Sequence, residues 1–278
     1  MATGACVGIT DIAAVYPLAV LATRRENGMT LAAAVRARSF WAGGYTAGTL
    51  LVPYSMAVES LSNEMRRKAV SIGGFHEDDV MGHFAAASGT SVLVTFLGLQ
   101  PIEKKMTMDQ MLESSAQKNG AARRGNPFLQ PLVEISAYTK VHGVRALYAG
   151  AIPLLLRELC YISSITVANP IATKYLERTS GGGGSIVQGT AAAFSVGAMA
   201  GMVSAPFQTI NAMMKSEANR GKRLPSIFRE IFAPGVFDGV HRLWFGAGIR
   251  SVRCGMAGCL YYGYRKLLSS DSQGSNWW

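Results

Sequence analysis

Residues 142–150 read His142-Gly143-Val144-Arg145-Ala146-Leu147-Tyr148-Ala149-Gly150, and residues 238–246 read Asp238-Gly239-Val240-His241-Arg242-Leu243-Trp244-Phe245-Gly246. The two stretches share a Gly-Val step, a basic residue, a leucine and an aromatic-x-Gly ending. A shorter echo is Trp41-Ala42-Gly43. Each triplet opens an apolar block, and the block before it carries a proline near its end: Tyr16-Pro17-Leu18, Gln100-Pro101-Ile102 and Ala205-Pro206-Phe207. A lone proline in an apolar helix is ordinarily a kink. Three at matching places, each followed by a basic connection and an aromatic-x-Gly, mark an internal repeat, and a repeat governs the fold. The expected units cover residues 1–80, 81–180 and 181–278, the last with a C-terminal tail.

Each unit holds two apolar blocks. They span residues 5–22, 40–61, 83–101, 150–172, 189–214 and 247–267. A hydrocarbon core about 30 Å thick takes roughly 20 apolar residues of helix. The blocks are laced with Gly, Ala, Ser and Thr, which let helix backbones approach closely inside a membrane. They therefore predict an all-α membrane protein with six transmembrane helices.

Composition agrees. Of the 278 residues 49% are hydrophobic and only 16% charged, with a formal net charge of +10. Soluble domains carry about 25% charged residues, so this chain is short of what coats a globule. A disordered basic tail needs low hydrophobicity, and a nucleic-acid domain needs its charge gathered on one face. Cys6, Cys160, Cys254 and Cys259 show no CxxC spacing and no His cluster accompanies them, so no metal site is expected. His76, Glu77, Asp78, Asp79 and His83 read as an exposed loop. No nucleophile, base and orienting group come together, so no enzymatic activity is expected.

Most Lys and Arg residues fall in the connections after the first, third and fifth blocks, among them Arg24, Arg25, Lys104, Lys105, Lys215 and Lys222. Basic loops stay on the side of more negative potential. An even number of spans then puts both termini on the opposite face. Met1 to Thr10 holds no Lys or Arg, so the first block does not read as a secretory signal, and any organelle address is expected to be internal.

The repeat resembles the mitochondrial carrier family, whose units each bear a Pro-x-acid-x-x-base signature and a later acid-Gly-x-x-x-Leu-aromatic-basic-Gly. Residues 150–158, from Gly150 through Pro153 to Arg157 and Glu158, are very similar to the family's fourth helix, and the third unit looks somewhat like an ADP/ATP carrier. The resemblance implies three pseudo-threefold repeats around a central cavity and short helices lying on the membrane, for which residues 128–138 and 226–233 are candidates. It also implies the mitochondrial inner membrane, with the basic loops in the matrix and both termini in the intermembrane space.

Carriers close each end of the cavity with salt bridges between signature acids and bases. Here the matrix acid positions are Ala19, Glu103 and Gln208, and the base positions Ala22, Met106 and Asn211. At the other end Asn63 and Arg66 remain, with no acid in any unit. Neither ring is expected to form a regular salt bridge, Glu103 having no base on a neighbouring helix. Two readings stay open. One is a transport-impaired carrier fold kept as an accessory subunit of a respiratory-chain or ATP synthase complex. The other is an active exchanger of an amino acid, nucleotide or other anionic metabolite with atypical gates. The residual gate positions are Glu103, Gln208, Asn211, Asn63 and Arg66. The family's substrate contacts map onto Arg157, Glu158 and Arg253; the second-helix counterpart falls near Leu50 and Leu51. An unpaired Arg253 would suit an anion.

Helix N-termini attract phosphate, and basic pockets between helices on the matrix side suit cardiolipin. Gly43, Gly150 and Gly246, with Trp41, Tyr148 and Trp244, are the expected cardiolipin positions; the same glycines also fit as compact helix starts. No other cofactor is expected. Gly181 to Gly184 read as a flexible connector, Met106, Met108 and Met111 as packing residues, and the terminal Trp277 and Trp278 as an interface or docking element.

Overall fold

The computed structural model describes residues 2–26, 29–36, 44–75, 79–107, 130–179, 186–216, 219 and 221–270. Trp41, Gly43, His76, Glu77, Asp78, Met108, Met111, the Gly181–Gly184 run, Trp277 and Trp278 lie outside these. Among the described residues the chain is helical throughout, with no strand.

The elements in order are α1 over residues 2–26, α2 (Leu31–Arg36), α3 (Gly44–Gly73), α4 (Val80–Thr107), α5 (Gln130–His142), α6 (Val144–Leu147), α7 over 151–179, α8 (Ile186–Lys215), α9 (Leu224–Phe232), α10 (Val236–Leu243) and α11 (Ala247–Ser270). Among the described residues four helical stretches are long and apolar enough to cross a membrane: Ala5–Arg25, Val80–Thr107, Val144–Leu176 and Ile186–Lys215. α8 alone has 30 residues, about 45 Å of helix at 1.5 Å per residue. α3 is as long but carries Glu59, Glu64, Arg66, Arg67 and Lys68, and α11 carries Arg250, Arg253, Arg265 and Lys266. Every apolar block extends into a longer helix than its apolar residues define. The short helices expected near 128–138 and 226–233 are α5 and α9.

The long helices close a ring in chain order. α1 packs on α3, α3 on α4, α4 on α7, α7 on α8, α8 on α11, and α11 returns to α1. The closest pair is α8 with α11. A Cβ at Gly201 would stand 2.8 Å from the Ser251 Cα, and one at Gly258 would stand 2.5 Å from the Ala193 carbonyl. Small residues on both faces allow this approach, as membrane helix packing requires.

Proline sets local geometry at three places, and not the three that sequence matching selects. A π-helical turn ends two residues before Pro17, Pro101 and Pro170, spanning Asp11–Val15, Thr95–Leu99 and Ser164–Ala168. Proline has no N–H and its ring crowds the carbonyl four residues back. The residue before each proline reaches one residue further instead: Tyr16 donates to the Asp11 carbonyl, Gln100 to that of Thr95, and Asn169 to that of Ser164. Pro206 sits inside the α-helix of α8 without such a turn.

The aromatic-x-Gly segments of the second and third units share a geometry. Each follows a short helix ending in a buried leucine, Leu147 or Leu243. Gly150 and Gly246 have φ of +85° and +98°, a region L side chains rarely enter.

Candidate functional site

The ring encloses a cavity of about 150 Å³ lined from every long helix, including Asp11 of α1, Tyr54 of α3, Glu103 of α4, Arg157 and Glu158 of α7, Gln208 of α8 and Arg253 of α11. Charges at such a place in an apolar bundle need partners, and the structure supplies them.

Glu103, two residues after Pro101, is the hub. Lys215 donates to its Oε2 at 2.7 Å, Asn211 Nδ2 donates to the same oxygen at 3.2 Å, and Arg157 pairs with its Oε1. Arg157 also donates from Nε to Glu158 Oε1 at 2.9 Å and from NH1 to Gln208 Oε1 at 2.6 Å. Glu158 accepts a bond from the Tyr54 hydroxyl at 3.3 Å. The network therefore joins side chains of α8, α4, α7 and α3, and Lys215 is 1% exposed. One expectation is corrected: Glu103 does meet bases on other helices, Arg157 of the neighbouring α7 and Lys215 of α8, which follows Asn211 by four residues and so lies on the same helix face. Tyr54, one turn beyond Leu50, is the α3 side chain that reaches the network.

Ala19, the acid position that the resemblance implies in the first unit, and Met106, the base position in the second, belong to one buried apolar cluster with Tyr16 and Val20. Lys104 and Lys105 turn away from the cavity. Lys104 donates to the Lys215 carbonyl at 2.5 Å, and Lys105 pairs with Glu134 of α5 at 2.6 Å. The same end is tied further by Arg25 over the Phe245 ring, 3.7 Å from its centroid, and by Gln100 Nε2 donating to the Leu147 carbonyl at 3.1 Å.

Arg253 pairs with Asp11 at 3.6 Å, both partly exposed, so it is not the unpaired cation that would suit an anion alone. At the opposite end Asn63 is exposed, Glu64 meets Lys68 of its own helix at 4.0 Å, and the exposed Arg265 lies within electrostatic reach of Glu59 of α3 as well as of Arg66. α1 and α11 are joined there by a hydrogen bond of 2.7 Å between Thr10 Oγ1 and the Tyr264 hydroxyl.

Of the positions expected to meet cardiolipin, Tyr148 donates to the Phe96 carbonyl at 2.9 Å and stacks on its ring, while Trp244 is exposed. A Cβ on Gly150 would stand 2.7 Å from Asn211 Oδ1, which accounts for the compact residue without a ligand. Compared with known proteins, the chain matches no family model and no curated relative.

Proposed function

We propose that the chain is a mitochondrial-carrier-type solute transporter of the inner membrane, with six spans in three pseudo-threefold repeats and substituted rather than erased latches. The observation that carries this reading is the convergence of Asp11, Glu103, Arg157, Glu158 and Arg253 on one cavity. Ionisable groups inside a membrane are expensive and mark solute pathways, whereas a purely structural bundle needs none. The ring closure in chain order and the bond from Asn211 to Glu103 between signature positions support the same reading. Cardiolipin at the Gly150 and Gly246 segments, and matrix-facing basic loops, belong to it. Purified protein in cardiolipin-containing liposomes is expected to exchange labelled solutes, and Arg157→Ala to abolish uptake. Wild-type uptake that survives this change removes Arg157 from the contact site.

A second reading, an accessory subunit of a respiratory-chain or ATP synthase complex, is favoured by one observation: Ala19 and Met106, at signature positions, share an apolar cluster in place of the acid–base pair an alternating cycle uses. It predicts comigration with a large complex in mild detergent and no exchange in liposomes.

A further inference from the structure

The Asp11–Arg253 pair differs from the other cavity charges. The Glu103 and Arg157 groups are satisfied several times over, by Lys215, Asn211, Gln208 and Glu158. Asp11 and Arg253 meet at 3.6 Å, beyond ordinary charged hydrogen-bond length, with side chains 20% and 29% exposed. They come from the two helices that close the ring, α1 and α11. Tyr161 and Tyr261 stand beside them and line the same cavity.

Glu103, Glu158, Arg157 and Lys215 are already engaged with one another, so a ligand at Asp11 and Arg253 meets one acid and one base. A ligand bearing a single charge would satisfy only one of them. An anion drawn to Arg253 would leave Asp11 without its cation, and a cation drawn to Asp11 would strand Arg253. Leaving a charge unpaired inside an apolar bundle is costly. A zwitterion avoids both penalties. Its ammonium replaces Arg253 at Asp11 and its carboxylate replaces Asp11 at Arg253, so one long ion pair is exchanged for two short charge-assisted contacts with no change in net charge.

Resting on the carrier reading, we infer that Asp11 and Arg253 form the recognition pair for a zwitterionic α-amino acid, Asp11 taking the ammonium and Arg253 the carboxylate. The cavity thereby selects against solutes bearing only one of those groups, through the unpaired charge they would leave behind.

The test uses the full chain, first in detergent and then in liposomes. Thermal melting is followed with L-alanine, L-glutamine, lactate (no ammonium) and ethanolamine (no carboxylate), and uptake of the labelled amino acids is measured in parallel. Either amino acid is expected to raise the melting temperature of the wild type, while lactate and ethanolamine leave it unchanged. Asp11→Asn and Arg253→Gln are each expected to lose the shift and to reduce uptake by about tenfold or more, because each removes one of the two charged hydrogen bonds to the ligand. A shift with lactate equal to that with L-alanine, an unchanged shift in Asp11→Asn, or no shift with either amino acid overturns the inference. Should a variant fail to fold, Asp11→Glu, which keeps the charge, must retain the amino-acid shift. Uptake of some other solute without an amino-acid shift sinks the recognition pair and leaves the carrier reading standing. A shift without uptake of anything does the reverse.

Discussion

Glu103 accepts from two bases on two helices, and its side chain is 17% exposed. Its replacement by Gln would leave Lys215, 1% exposed, without a carboxylate. Breaking a buried pair by removing one partner costs about 3–5 kcal/mol. Glu103→Gln is therefore expected to lower the melting temperature of the purified protein more than Glu64→Gln, whose salt bridge to Lys68 is half exposed at 4.0 Å and contributes about 0.3–0.5 kcal/mol at most. Equal melting temperatures for the two variants would show that the network is not holding α4 to α7 and α8. Lys215 was legible from the sequence by another route. A fixed spacing from Pro206 stops at Asn211, whereas helical periodicity carries the search one turn on. Asp11 was visible as an acid within an apolar block, but its partner on α11 depends on ring closure, which no local pattern encodes. The pairing of Ala19 with Met106 was likewise hidden, since apolar residues at signature positions read as losses until packing brings them together.

At the scale of the helix, the tightest contact is between α8 and α11, and it rests on residues without a Cβ. Gly258→Val would drive its side chain into the Ala193 carbonyl, 2.5 Å from where a Cβ stands. Overpacking of this kind costs about 1–3 kcal/mol. Gly248→Ala, at a position in α11 with nothing within 4 Å, is expected to be neutral or to stabilise by up to about 1 kcal/mol through helix propensity. Thermal melting in detergent compares the two, and a Gly258→Val protein as stable as Gly248→Ala would contradict the packing account. The helices themselves were plain in the sequence, because apolar blocks of that length have few alternatives. Their ends were not. Charged turns continue α3 to Gly73 and α7 to residue 179, since helical hydrogen bonds persist beyond the apolar stretch. Nor did matching prolines show which would acquire π-helical turns: Pro170 does and Pro206 does not.

For the whole molecule, the two ends of the cavity are unlike. The basic-loop end is bound by the Glu103 network, the Ala19–Met106 cluster and Arg25 over Phe245. The other end is joined by Thr10 with Tyr264 and by charges such as Arg265 that are exposed. Polar pairs between membrane helices contribute about 0.6 kcal/mol on average and exposed ion pairs about 0–1 kcal/mol, so that end is the easier one to open. A cysteine introduced at Ser55, which lines the cavity, is expected to react with a membrane-impermeant thiol reagent added from the side of the termini and not from the basic-loop side. Reaction from the basic-loop side alone would reverse the assignment.

Exchange by the purified protein in liposomes tests the account most directly. Loaded vesicles bearing the wild type should accumulate a labelled solute above empty vesicles, and those bearing Arg157→Ala should not. If the wild type moves no amino acid, nucleotide or organic anion, and migrates instead as part of a large membrane complex, the polar cavity is not a transport path and the carrier function falls.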